Sequence, residues 1–114
     1  LRAVIERVGP GRAGAPTLTL HLHDTFGTAA ACVATALDLG VRSFDASAGG
    51  LGGCPYASTA QQRAPGNLST RQLVEAVESA GFETGVDLEF LESASRFARS
   101  IAGLAQPGGA EDAW

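Results

Sequence analysis

Two histidines, an aspartate, a cysteine and an asparagine hold most of the chemistry this sequence offers. His21 and His23 lie two apart in Thr17-Leu18-Thr19-Leu20-His21-Leu22-His23, where leucine alternates with polar residues. Alternation of this kind is a strand, and it puts both imidazoles on one face with their Cα atoms roughly 6.5 Å apart. Imidazoles so placed can converge on one cation, and neutral imidazole suits zinc, manganese, iron or cobalt, or a harder ion when oxygen ligands assist. The same spacing also fits two solvated or hydrogen-bonded strand histidines. Asp24 follows directly. It can ligate a metal, orient an imidazole or cap the next helix, and the last two roles suit it better than the first.

Cys54 sits in Gly49-Gly50-Leu51-Gly52-Gly53-Cys54-Pro55, four glycines in five residues and then the thiol. Glycine permits positive φ and close backbone approach to a ligand, so Gly50, Gly52 and Gly53 read as a substrate-binding loop with a reachable cysteine. A thiol there can move a proton, or attack as a thiolate if its pKa is lowered. The plain alternative is a small residue in a turn. The loop has neither the spacing nor the lysine of a phosphate-binding motif, since the chain contains no lysine. Asn67, after Gly66, can offer a neutral oxygen to a hard cation or simply make a turn. Cys32, in an alanine-rich stretch, reads as a packed core thiol.

The elements that must position these groups alternate. Leu1, Val4, Ile5 and Val8 have helical spacing, and residues 9–16 are a turn by composition. A strand over 17–23 leads through a turn at 24–27 to a helix over 28–39, with Gly40 placed to end it. Residues 41–45 make a second short strand, 48–56 the glycine loop, and 58–66 a polar irregular segment. Ser69-Thr70-Arg71-Gln72 fits a capping box for a helix reaching Ala80, and Gly81 ends that helix. Asp87 caps a last helix with Leu91, Ala94, Ala98 and Ile101 as its stripe. Strand, helix, strand, loop, helix is α/β grammar, and such folds carry ligands at the C-terminal ends of their strands. The polar groups above fall at those ends.

The bulk numbers narrow the reading. The chain has 114 residues, a net charge of −4, eight arginines and two cysteines. A mild acidic balance without a basic cluster argues against nucleic acid, two cysteines make no disulfide framework, and no apolar run has the length of a membrane span. A closed eight-stranded barrel needs at least ~200 residues. The sequence opens in mid-helix without methionine, so we expect it to be part of a longer, bacterial and cytoplasmic chain.

Together the motifs resemble those of 3-hydroxy-3-methylglutaryl-CoA lyases. The likeness runs from about Leu18 to Gly103 through His21-Leu22-His23-Asp24-Thr25-Phe26-Gly27, Ala48-Gly49-Gly50-Leu51-Gly52-Gly53-Cys54-Pro55-Tyr56-Ala57, Gly66-Asn67-Leu68-Ser69-Thr70 and Thr84-Gly85-Val86-Asp87. The His-x-His-Asp element is shared with related metal-dependent barrels; the glycine-cysteine loop is more specific. The resemblance implies the C-terminal part of a (β/α)8 TIM barrel with additional C-terminal helices over residues 1–104, and a flexible tail over 105–114. It implies cleavage of an acyl-CoA thioester to acetyl-CoA and acetoacetate with Mg²⁺ or Mn²⁺, and a homodimeric whole enzyme. By the same resemblance His21, His23 and Asn67 are metal ligands, and Cys54 and His21 move protons. Asp24 orients a ligand. The family's N-terminal strands carry an Arg-Asp pair, with the Asp a ligand and base, that no residue here matches. The alternatives are a Claisen-type acyl-CoA synthase or carboxyltransferase barrel, an inactive truncated product, and a Cys/His thiol hydrolase.

Overall fold

The computed structural model describes residues 1–8, 18–54, 56–61 and 64–104. Helix α1 (Arg2–Val8) is followed by strand β1 (Thr19–His21), helix α2 (Ala29–Asp38) and strand β2 (Ser43–Asp45). A single 3-10 turn (Ala48–Gly50) then precedes helices α3 (Thr70–Ser79) and α4 (Leu88–Leu104). The loop expected at residues 9–16, Pro55 and the expected tail at 105–114 lie outside the described residues.

The two strands pair in parallel with Thr19 beside Ser43, Leu20 beside Phe44 and His21 beside Asp45. Both are shorter than the alternation suggests, because pairing stops where β2 turns into the glycine loop. Leu22–Asp24 pairs instead with Gly66–Leu68: the Asp24 amide donates to the Gly66 carbonyl at 2.7 Å, and the Leu68 amide to the Leu22 carbonyl at 3.0 Å.

Under this ladder lies the core. Ala29, Val33 and Leu37 of α2 meet Leu68 and Val77, with Leu22, Phe44, Leu73 and Ala76 packed against them. Each large apolar side chain so covered contributes about 1.5–3 kcal/mol. The helix ends follow their sequence signals. Gly40 closes α2 at φ 91°, and Gly81 follows α3 at φ 88°. Ser69 and Gln72 form the reciprocal capping box. Asp87 accepts from the Glu89 and Phe90 amides at 2.9 and 3.1 Å, capping α4.

Three expectations are corrected. Cys32 is exposed rather than buried in the core. The inward positions of α2 are 29, 33, 36 and 37, and Cys32 lies to one side of that stripe. Helix α4 turns Leu91, Ser95, Ala98 and Ala102 inward and leaves Ala94 exposed, with Phe90, Phe97 and Ile101 open to solvent. Its seat is the backbone of Ala48–Gly50, which comes too close for large side chains, so the helix presents its small ones. Cys54 is buried at 9% exposure rather than reachable. The apolar stripe of α1 has no core to meet among the described residues: Leu1, Val4 and Val8 stay exposed.

Candidate active site

The β1–β2 ladder has an apolar face toward the helices and a polar face away from them. On the polar face the Thr19 and Ser43 hydroxyls lie 2.8 Å apart, and His21 Nδ1 meets Asp45 Oδ1 at 2.5 Å. A carboxylate only accepts, so Nδ1 is the donor, and in the neutral ring Nε2 keeps the lone pair, pointing elsewhere. Both side chains are more than half exposed, so the contact orients the ring more than it stabilises the fold. Asp45 is a site residue that composition and spacing did not reveal. Only the strand register sets it beside His21.

His23 follows on the same face, its ring 5.3 Å from that of His21 and edge-on to it. Its backbone pairs antiparallel with Asn67. The flanking hydrogen bonds make this a non-hydrogen-bonded pair, the kind in which side chains come closest. The Asn67 amide nitrogen Nδ2 donates to the Leu51 carbonyl at 2.9 Å, and its backbone N–H to the Gly52 carbonyl at 2.9 Å. Nδ2 is thereby committed, and Oδ1 is the atom left to face a cation. Asp24 does not turn to an imidazole. One of its carboxylate oxygens accepts from the Ala29 amide at 2.9 Å at the start of α2, and the other from Gln72 Nε2 at 3.3 Å. It caps one helix and ties it to the next.

The glycine loop closes over these groups. Gly49, Gly50 and Gly52 take positive φ. A Cβ at Gly66 would overlap the Gly52 and Gly53 backbone, so the two strands of the loop touch where only glycine fits. Cys54 donates its amide to the Ala64 carbonyl at 3.1 Å, and its carbonyl accepts from the Ser58 hydroxyl at 2.6 Å. The thiol faces His23. That contact, then the Ala57 amide, the Thr25 hydroxyl and the Tyr56 amide, outweigh burial and bring the Cys54 pKa down to about 7. Thr25 is a second contributor that the sequence did not single out; its hydroxyl also donates to the Pro65 carbonyl at 2.8 Å. A cavity of about 450 Å³ opens beside the loop, lined by Asp24, Gly50, Gly52, Asn67, Ser69 and Gln72 among others.

The donors on the polar face are therefore His21 Nε2, the His23 ring and Asn67 Oδ1, neutral nitrogen and oxygen atoms suited to a divalent ion. Among the described residues no three or more His, Cys, Asp or Glu side chains gather as a metal site. The three donors are too few to enclose an ion by themselves. Its carboxylate neighbours, Asp24 and Asp45, are occupied as a helix cap and as a partner of His21. No helix among the described residues is long and apolar enough to cross a membrane.

Comparison with known proteins bears on the family and the fold. The family model described as HMGL-like matches residues 1–98. A mitochondrial hydroxymethylglutaryl-CoA lyase from Macaca fascicularis is 45% identical over 97 residues, covering 85% of this chain and 27% of the relative. An (R)-citramalyl-CoA lyase from Chloroflexus aurantiacus is 43% identical over 91 residues, covering 80% of this chain and 27% of the relative. The crystal structure of the HMG-CoA lyase from Brucella melitensis superposes with a TM-score of 0.69 at 42% identity, covering 88% of this chain and 34% of that one. The chain thus spans about a quarter to a third of the proteins it matches. The mixed strand-helix fold is part of an α/β TIM barrel of that kind.

Proposed function

This chain belongs to the HMGL-like family, whose members are in general metal-dependent, and from that premise we propose that it supplies the His21–His23–Asn67 and Cys54 portion of a hydroxymethylglutaryl-CoA lyase site. The observation that supports this reading most is the glycine loop ending in Cys54, whose Leu51 and Gly52 carbonyls are bound by Asn67 while Asn67 pairs with His23. One small assembly thus joins a proton donor to two candidate ligands.

In the proposed reaction the tertiary hydroxyl of the acyl-CoA thioester loses its proton, and the carbon–carbon bond beside it breaks. The electron pair passes to the carbon α to the thioester carbonyl, giving the enolate of the thioester and leaving acetoacetate. Protonation of that carbon gives acetyl-CoA. His21, His23 and Asn67, together with groups outside this set, would hold Mg²⁺ or Mn²⁺, which would supply polarisation of the substrate oxygens and a lowered alcohol pKa. His21, its Nδ1 fixed by Asp45, presents Nε2 to the site and is placed to pass the hydroxyl proton on. Cys54 donates to the enolate carbon, with the closed loop excluding water at that moment. Asp24 keeps the strand end in place through α2 and Gln72.

The test is Mg²⁺- or Mn²⁺-dependent release of acetoacetate, assayed with this chain and with any longer form encoded upstream of it. Cleavage by the longer form that is lost on Cys54→Ser is the expected result. Failure of both forms to cleave, with Mn²⁺ binding intact, rejects the lyase reading. A second reading, favoured by the likeness to a citramalyl-CoA lyase, keeps the bond cleavage and changes the acyl group. Running both thioesters side by side separates the two.

A further inference from the structure

Resting on the reading of Cys54 as the proton donor, we propose that α4 is the seat of the glycine loop, with Ser95 and Arg99 as positioning residues that hold Cys54 against His23. The loop begins at Gly49, φ 76°, where a Cβ would lie 3.1 Å from the Ser95 carbonyl oxygen and 3.2 Å from Arg99 Cγ. The backbone at the start of the loop therefore rests directly on the helix. Ser95 is 5% exposed, the buried polar side chain in the middle of α4. A larger residue there has no room except by moving the turn or the helix.

The other side of the turn is equally fixed. The Ser47 amide donates to the Leu68 carbonyl and the Thr70 amide to the Ser47 carbonyl, both at 3.0 Å; the Gly50 amide returns to Ser47 at 2.9 Å. Ser47–Gly50 is clasped between the Leu68–Thr70 segment and α4. Helix α4 is in turn tied to α3, because Glu92 meets both Arg99 and Arg71 at 3.6 Å. Beyond the turn, Leu51 and Gly52 are bound by Asn67, and Cys54 by Ala64. A displacement at Gly49 has little slack in which to dissipate before Cys54. This gives the inward stripe of small residues on α4 a purpose beyond packing: it sets the height of the loop over the site.

Pulsed iodoacetamide labelling of this chain, resolved by peptide mass, tests the proposal with exposed Cys32 as internal reference. Ser95→Leu should raise the Cys54/Cys32 labelling ratio about tenfold and Arg99→Ala about threefold, by raising the open population of the loop. Ser95→Ala, which keeps the helix seated, should leave the ratio at the wild-type value. Circular dichroism and the urea midpoint distinguish loop release from unfolding. If Ser95→Leu loses its helix content, the half-exposed Arg99→Ala decides the matter alone. A wild-type ratio in Arg99→Ala, and in Ser95→Leu where it stays folded, overturns the proposal. Because no turnover is measured, that failure leaves the lyase reading standing, and failure of the lyase assay leaves the ratio test intact.

Discussion

On one face of the β1–β2 ladder Leu20 and Phe44 lie side by side toward the helices; on the other, one residue away along each strand, Thr19 lies beside Ser43 and His21 beside Asp45. The apolar face continues into the α2–α3 core through Leu22 and Phe44. The polar face makes no core, and its side chains are spent on orienting one another. The same alternation thus serves two ends. What is lost by a change on the first face is folding free energy, and on the second it is the geometry of a reactive group.

The widest separation between the two is expected in turnover. In a cleavage-competent longer form, Cys54→Ser should lower kcat by about 10²–10⁴, the range for losing a positioned acid. Cys32→Ser should stay within about twofold, as expected of a surface site away from such machinery. Equal losses would remove the distinction between the two thiols. On the core side, Leu68→Ala should cost about 2–5 kcal/mol in urea unfolding of this chain. His21→Ala should shift the same curve by no more than about 0.5 kcal/mol, since that side chain is more than half exposed.

Finer changes probe the polar face alone. Asp45→Ala frees the His21 ring and should weaken Mn²⁺ binding by about 10–100-fold, read by titration calorimetry. An unchanged affinity would show that His21 is not a ligand oriented by Asp45. In the metal-free chain, alkylation of Cys54 should rise through about pH 7, because the lowered pKa leaves thiolate above that value and thiol below it. His23→Ala removes the largest cause of the shift and should move the midpoint up toward the ordinary thiol range. Smallest of all, Asp24→Ala should cost about 1 kcal/mol through the lost cap of α2. It should do so without altering the alkylation midpoint; a shifted midpoint would place Asp24 in the chemistry rather than in the scaffold.

Local signals were legible in the amino-acid sequence wherever one or two residues sufficed. The alternation of Leu18 to His23 set the strand and the shared face of the histidines. Ser69–Gln72 and Asp87 set two helix starts, and Gly40 and Gly81 two ends, because caps depend on the conformation of a few neighbouring residues. The glycine-cysteine loop and the His-x-His-Asp element together carried the family. Where two elements had to meet, those signals ran out. Apolar periodicity on α4 allowed more than one stripe, and the choice fell to Ser95 and Ala98 because the partner is bare glycine backbone rather than side chains. Cys32 and Cys54 exchanged their expected exposures for the same reason: burial depends on what lies opposite, not on the residue's own neighbours in sequence. His21's alliance with Asp45, His23's with Cys54 and Asn67's with the loop carbonyls span long stretches of chain, and strand register and loop closure bring each pair together. Residue types and spacings determined which groups could react; tertiary contact alone decided which of them face one another.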